Sequence, residues 1–587
     1  MKTPRQVLHS APTALQVAVS LFLLSSSAIA QDAGLRLIPD QPPRNQLPSP
    51  KHTLSAGSGH ASNQLFGRTA FSFLPSVQVN VDTGNNVNDF APAIAVSRNG
   101  HIYVVWNGDE TMKTIFFSRS TDGGKTFSAA ARINDNVVYP PSYSVYQPDI
   151  ALDSAGNIYV VWHDYRQWAD DQSWTSPIDI FMDKSTDGGL TWNTDVQVSR
   201  GNGTYPWHFQ PSIAIAGNTG NPYVSFTDYD RYYPQGDGGD VSVATSLDKG
   251  ASFQSKVRVD DTPDALHAVQ EFSAIALDAK TNTVFVAYHD SRNGSRDIYV
   301  AKSVDSARSF LPNILVNDDT TNDQEEPSVG VSSSGVVYVV WKDWRADPTP
   351  TEPPYQNDMI MARSTDGGNS FTSGVKINDT SLNAEYSYNF PPRLALDDSG
   401  NVHVTWFDQR FNYTNCFYDE SVDGGLTFSV DAIVNDNRDS LSHSLPRIAV
   451  GNGRVYVVYM DKRHGNNFYD IFFTAKDRFT GVEKYASSIP RTFTLEQNYP
   501  NPFNPATTIR FTVPSPGTGP GFSAVTLRVY DILGNEIATL VDGDKPAGNY
   551  EIEFNLSSMN HPPSSGVYLY ELRVGGIAQT RKMTYLK

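Results

Sequence analysis

The sequence predicts an all-β chain: a seven-bladed β-propeller followed by a small C-terminal β-sandwich. Three observations carry this expectation. The composition is rich in Tyr (29), Phe (30), Gly (42) and Pro (37) and low in charge (18%), a mix that favours strands and turns over helices. One turn motif recurs six times through the middle of the chain, and a longer apolar motif recurs seven times. From about residue 499 that pattern gives way to a different set of alternating strands.

The chain starts with a stretch that reads as a secretory signal over residues 1–30. Lys2 and Arg5 supply the positive start, Ala14 to Leu24 the apolar core, and Ala28-Ile29-Ala30 a small-x-small cleavage site. That apolar run is too short to span a bilayer, and no later segment is long enough, so no transmembrane span is expected in the mature chain. The single cysteine, Cys416, rules out an intramolecular disulfide and a cysteine-rich zinc site. A secreted chain without disulfides must rely on a large core. Residues 31–74, rich in Pro, Ser, Gln and Asn, read as a flexible leader.

The turn motif has the form Ser-x-Asp-x-Gly-x-Ser/Thr-aromatic. It centres on Asp122, Asp187, Asp248, Asp305, Asp366 and Asp423. A carboxylate there accepts turn N–H groups, Gly takes the positive-φ position, and the aromatic residue pins the turn to the core. The apolar motif reads Pro-x-Ile-Ala, a Gly-bearing turn, then an alternating run ending in aromatic-x-Asp-x-Arg. Its anchors are Trp106, Trp162, Phe226, Tyr288, Trp341, Trp406 and Tyr459, spaced by 56, 64, 62, 53, 65 and 53 residues. A short strand ending near Asn-Asp follows the Asp turns, as in Ala131–Asn136, Ile314–Asp319, Val375–Thr380 and Ala432–Asn437. Four strands, A to D, per repeat make a propeller blade. The seventh copy lacks a D strand, and a spare one, Val77–Asp82, precedes the first copy. The N-terminal strand is therefore expected to close the ring over residues 75–486, with six blades plus a stray repeat as the alternative.

The Ser-x-Asp-x-Gly-x-Thr-Trp/Phe turn resembles the Asp-box of sialidases and related bacterial neuraminidase-repeat propellers. That resemblance implies a propeller in which the six Asp residues are structural and lie away from the working face. The C-terminal segments YPNPFNPATTIRF (Tyr499–Phe511), LRVYDILGNEIATL, PAGNYEIEFN, SGVYLYELRVG and KMTYLK resemble the C-terminal sorting domain of the type IX secretion system. This implies export across the outer membrane by that machinery, with residues 499–587 as the address label and 487–498 as a linker. The location expected is outside the cell or on the outer-membrane surface.

Net charge is 45 − 63 = −18, which repels phosphate backbones and argues against nucleic acid as a partner. Function is expected on the end of the sheets that carries the long B–C and D–A loops. Those loops hold Tyr146, Tyr165, Trp168, Trp174, Trp207, His208, Tyr232, Tyr386 and Tyr388, rings suited to stacking on sugar faces. The mouth of the central channel carries Asp149, Glu271, Glu326, Arg393 and Arg447, the candidates for an acidic-sugar site, an acid/base pair or an ion-pair network. The repeated Asp–Arg pair reads as a structural clamp. A sialidase needs three arginines, the first in an Arg-Ile-Pro segment, and here Phe90 stands at that position. The reading is therefore a carbohydrate- or surface-protein-binding propeller without chemistry, with a sialidase-like glycoside hydrolase as the alternative. No cofactor is required. Acidic loops such as Asp170-Asp171 and Asp318-Asp319 offer ligands of the kind Ca²⁺ takes.

Overall fold

The computed structural model describes residues 73–80, 88–108, 113–135, 145–167, 176–199, 207–230, 239–347, 355–379, 382–384, 392–409, 414–436, 442–464, 468–477, 494–513, 522–546, 548–556, 564–574 and 577–587. The signal, nearly all of the leader, and Trp168, Trp174, Tyr232, Tyr386 and Tyr388 lie outside these residues. The chain divides into two compact units, residues 1–478 and 479–587.

Among the described residues, the first unit holds seven antiparallel sheets, each of four strands on its main path. In the first, Phe90–Val96, Ile102–Gly108, Thr114–Ser120 and Ala131–Arg132 form strands A to D. The other six A strands are Val145–Leu152, His208–Ile215, Gln270–Leu277, Gln324–Val331, Arg393–Leu396 and His443–Gly451. Successive A strands adjoin, and the seventh adjoins the first, so the order of neighbouring sheets runs in a cycle.

Valine-rich B strands explain the packing. All seven are buried along their length, as in Ile158–Asp164 and Val337–Asp343, because each sheet is covered on both faces by its neighbours. Each motif aromatic sits at the centre, fully buried. Where it is Trp, an Asp accepts its indole N–H; the Tyr288 hydroxyl instead donates to Asn313 and the Tyr459 hydroxyl pairs with Ser76. The indole N–H groups of Trp162, Trp341 and Trp406 donate to Asp164, Asp343 and Asp408 at 2.8–3.1 Å. The first sheet has Gly108 in place of that Asp, and Asp89 fills the space and accepts from Trp106 at 2.8 Å. The motif Arg then clamps the Asp, as expected. Arg292, Arg345 and Arg463 each fork onto the Asp two residues earlier and reach an Asp of the preceding sheet: Asp261, Asp318 and Asp436.

The D strands are two residues long, so the start of each C strand outruns its neighbour and needs another acceptor. A side chain just beyond D supplies it. Ile115, Ile298, Met359 and Cys416 donate their N–H to Asn134, Asn317, Asn378 and Asn435 at 2.7–2.9 Å. Ser199 and Asp260 serve Ile180 and Val241. In the seventh sheet the acceptor is Asn80, 2.8 Å from the Ile471 N–H and 391 residues away in sequence. Val77–Gln78 pairs with Asp470–Asp477 as that sheet's D strand, aligning Val77 with Phe473. The recurrent Asp one residue further on joins sheets. It accepts the N–H that opens the next D strand, as Asp261 does from Asn313 and Asp436 from Ser76.

At the opposite end, every Ser-x-Asp turn has one pattern. Asp122 accepts from Ser120 Oγ, the Lys125 and Thr126 N–H groups and Thr126 Oγ1 at 2.6–3.0 Å. Gly250 has a φ of +90°, and a Cβ on it would stand only 2.5 Å from Met182 Cε of the preceding sheet, so a side chain there would collide. The fourth turn carries Ala307 instead, packed in one cluster with the smaller Val243.

The second unit has a three-stranded sheet (Thr494–Leu495, Ala506–Val513, Gly548–Asn555) and a four-stranded one (Glu536–Pro546, Phe522–Tyr530, Gly566–Val574, Ile577–Tyr585). Both contribute to one core that includes Ile509, Phe511, Leu527, Phe554, Tyr570 and Leu572. This is the expected sandwich.

Two sheet seams store negative charge. In the second sheet Asp183 lies buried near Asp195 and Asp135; in the sixth, Asp419 lies buried near Asp431 and Asp379. One oxygen each of Asp183 and Asp419 has no hydrogen-bond partner. Burial, reinforced by those carboxylates, pushes Asp183 to about 8 and Asp419 to about 7. Folded-state values above the unfolded ones mean that the folded chain holds extra protons, so their contribution to stability is lost as pH rises from about 4 to about 8. Native protein is expected to lose melting temperature between pH 6 and 9, and Asp183→Asn/Asp419→Asn to lose less, measured by calorimetry across that range. Asn80→Ala orphans the Ile471 N–H and is expected to cost about 1–3 kcal/mol in a denaturant titration.

Candidate functional site

The end opposite the Asp turns is built by a repeated backbone irregularity. Near the start of six A strands the pairing with B slips. The residue in the slip is left-handed although it is not glycine: Ala91, Gln147, Gln210, Phe272, Glu326 and Leu445 have φ of 49–57°. Such a bulge re-aims the side chains beside it. In the sixth sheet the A strand starts later, at Arg393.

Each slip sets one A-strand side chain opposite the residue between the motif aromatic and its Asp. The pairs are Phe90–Asn107, Tyr146–His163, Phe209–Thr227, Glu271–His289, Glu325–Lys342 and Ser444–Met460. Aromatic and ionisable chemistry is concentrated in the second to fifth sheets.

The aromatic half spans the second and third sheets. His163 packs between Tyr146, Tyr165 and Phe209 at centroid distances of 5.4–5.9 Å, and Phe209 meets Tyr229 edge-on at 5.8 Å. Burial lowers His163 to about 3, so its ring is neutral. Tyr146, Tyr165 and Phe209 are partly exposed.

The ionisable half adjoins it through Tyr229, whose hydroxyl donates to Glu271. His289 Nε2 lies 3.9 Å from the other Glu271 oxygen, and His289 Nδ1 accepts the Glu326 N–H at 3.5 Å. Lys342 bridges Glu325 and Glu326 at 3.1 and 3.3 Å. Glu325 also takes Arg296 at 2.7 Å and the Trp344 indole at 3.1 Å, and Arg296 reaches Asp323 at 3.3 Å. Burial alone would raise both neighbouring glutamates. For Glu325 the nearby Lys342 and Arg296 outweigh burial and hold it low, whereas Glu326 stays raised by burial, with Glu325 adding to the effect. Burial likewise opposes ionisation of Glu271, but His289, Tyr229 and Arg296 outweigh it and the group is lowered.

Asp149 accepts N–H groups from Ile150 and from Ile213 of the next sheet, both at 3.0 Å, so it bridges two A strands. Burial raises it, and Arg393 opposes that rise. Burial lowers Arg393, with Asp149 and Glu326 opposing, and its Nε has no hydrogen-bond partner. Four of the five expected channel residues, Asp149, Glu271, Glu326 and Arg393, thus belong to one connected charge system. Arg447 instead donates to the Pro92 carbonyl of the first sheet at 3.2 Å. Trp207 and His208 are buried rather than displayed on the loops, because Trp207 packs on Ile178 and Tyr229. The repeat motifs do not mark out His289, Lys342 and Arg296. The signal for the first two was the variable middle residue of aromatic-x-Asp: Asn107, His163, Thr227, His289, Lys342, Phe407, Met460.

His208, Asp228 and Asp230 form the one metal-compatible group among the described residues. The Lys256 ammonium is already there, 2.9 Å from His208 Nε2, 2.9 Å from Asp228 and 2.6 Å from Asp230. This is a charge-reversed clamp. Asp230 occupies the slot of Arg166, and Lys256 that of Asp195, a pair joined at 2.7 Å in the second sheet. The donor set suits Zn²⁺, but the ammonium supplies the positive charge. Zn²⁺ is expected to leave the native melting temperature unchanged and to raise that of Lys256→Met, which leaves a buried anionic pocket, as read by scanning calorimetry.

Residues 497–585 match the family described as "Secretion system C-terminal sorting domain". The second unit is therefore a C-terminal sorting domain of the type IX system, which directs its carrier to the cell surface or beyond. No curated protein matches the chain. Among solved structures, the chain is similar to a protein of unknown function from Dyadobacter fermentans, at 14% identity and a TM-score of 0.41, covering 69% of this chain and 99% of that one. It is similar to a PL25 ulvan lyase at 14% identity and a TM-score of 0.47, covering 68% and 95%. It is also similar to an α-L-arabinanase of Penicillium chrysogenum at 16% identity and a TM-score of 0.39, covering 57% and 94%.

Proposed function

We propose that the first unit is a seven-bladed propeller, closed by its N-terminal strand, that binds carbohydrate on its long-loop end and is carried out of the cell by the sorting domain. The six Ser-x-Asp turns act in this reading as Asp-boxes, holding the opposite end together. The observation that carries the proposal is the asymmetry among equivalent positions. The fold tolerates Thr227, Phe407 or Met460 beside the motif Asp, yet the second, fourth and fifth sheets place His163, His289 and Lys342 there. Their slip partners Tyr146, Glu271 and Glu325 are equally out of pattern. Stacking rings beside fixed hydrogen-bonding groups are what a sugar ring requires: C–H faces meet π faces, and hydroxyls meet planar polar groups.

A glycoside hydrolase of sialidase-like type is the second reading. It is favoured by one feature, the Tyr229 hydroxyl held by Glu271 beside His289, an arrangement able to move a proton.

A glycan array probed with the mature chain tests the proposal. Binding to at least one glycan is expected, with Tyr146→Ala/Tyr165→Ala weakening it roughly tenfold or more by loss of stacking area. Release of sugar from a bound glycan, abolished by Glu271→Gln, would establish the second reading instead. A surface protein captured in place of every glycan would replace both.

A further inference from the structure

The charge of the site selects among carbohydrates. Resting on the binding reading above, we propose that its glycan carries hydrogen-bond donors and no carboxylate or sulfate: a neutral or amino-sugar polymer rather than an acidic one.

Acidic side chains outnumber basic ones in the site, and the basic ones are committed. Among the described residues of the connected system, five acidic side chains (Asp149, Glu271, Asp323, Glu325, Glu326) stand against three basic ones (Arg296, Lys342, Arg393). Lys342 is shared by Glu325 and Glu326, Arg296 by Asp323 and Glu325, and Arg393 faces Asp149 and Glu326. An acidic sugar would have to strip one of these cations from buried carboxylates and leave them uncompensated. At ~4 Å and an effective dielectric near ~20, each new like-charge contact weakens binding by roughly a thousandfold.

Glu271 is the group open to a donor. Its side chain is 16% exposed, no Lys or Arg among the described residues salt-bridges it, and the Tyr229 hydroxyl fixes its orientation. It lies where the aromatic half meets the ionisable half. A ring stacked on Tyr146 or Tyr165 would therefore present its edge O–H or N–H groups toward an acceptor.

The test uses the mature chain on three immobilised arms: neutral polymers (β-glucan, xylan, mannan), an amino-sugar polymer (chitosan), and acidic polymers (polygalacturonate, alginate, a sulfated galactan). Binding is expected on the neutral or amino arm and absent on the acidic arm. Salt distinguishes the donors. Neutral-arm binding should be nearly unchanged between low and high NaCl, while amino-arm binding should weaken. Glu271→Gln should weaken either by roughly tenfold, the loss of one charge-assisted hydrogen bond; Tyr229→Phe, which frees that carboxylate, gives a second, milder loss. Salt-sensitive binding to the acidic arm, kept or strengthened in Glu271→Gln, would overturn the charge selection and leave the binding reading standing. Failure to bind any arm would overturn both.

Discussion

The first unit depends on one recurring demand of the backbone. Its sheets are sealed face to face, so their outer D strands can be short, and a two-residue D strand leaves one N–H in the first half of each C strand buried without a ladder partner. An unpaired buried N–H costs about 1–3 kcal/mol, and seven of them would consume a typical domain's whole stability. One side chain per sheet answers each: five Asn, one Ser and one Asp. Because the seventh is Asn80, the strand that precedes the first sheet is held to the last by the same device that serves every other sheet.

The next Asp along turns that device outward. By accepting the N–H that opens the following D strand, and by taking the motif Arg of the following sheet, it ties neighbours together at their outer edges. Where the pattern is broken the break is compensated. Gly108 is offset by Asp89, Arg166–Asp195 is replaced by Asp230–Lys256, and Ala307 shares its core cluster with the small Val243. These are paired changes across a contact, the expected signature of residues whose job is to hold the fold.

The two ends of the sheets were unequally legible in sequence. The sheets, their order and the role of the N-terminal strand follow from the motif spacing, because a repeated contact leaves a repeated residue. The clamp Asp and Arg and the Asp turns were readable for the same reason. The site was only partly readable. Asp149, Glu271, Glu326 and Arg393 stand out as departures at the start of strand A, but the slip that faces Glu271 toward His289 and Glu325 toward Lys342 is a left-handed residue that no glycine marks. Six such residues, five of them followed by proline, carry no local sequence preference for that conformation. Arg447 and His208 looked equivalent to the others and are not. Which carbonyl or carboxylate a long side chain reaches depends on the neighbouring sheet, not on its own motif.

The fold thus keeps the Ser-x-Asp end uniform from sheet to sheet, and at the other end sets residues that differ from sheet to sheet beside its repeated Asp–Arg clamps. Hydrogen exchange, followed by mass spectrometry on the mature chain with and without its best-bound array glycan, tests that division directly. Protection gained in the segments bearing Tyr146, His163, Glu271 and His289, with the six Ser-x-Asp turns unchanged, is the predicted result. Protection gained at the turns around Asp122 and Asp187, with the slip segments unchanged, would contradict it.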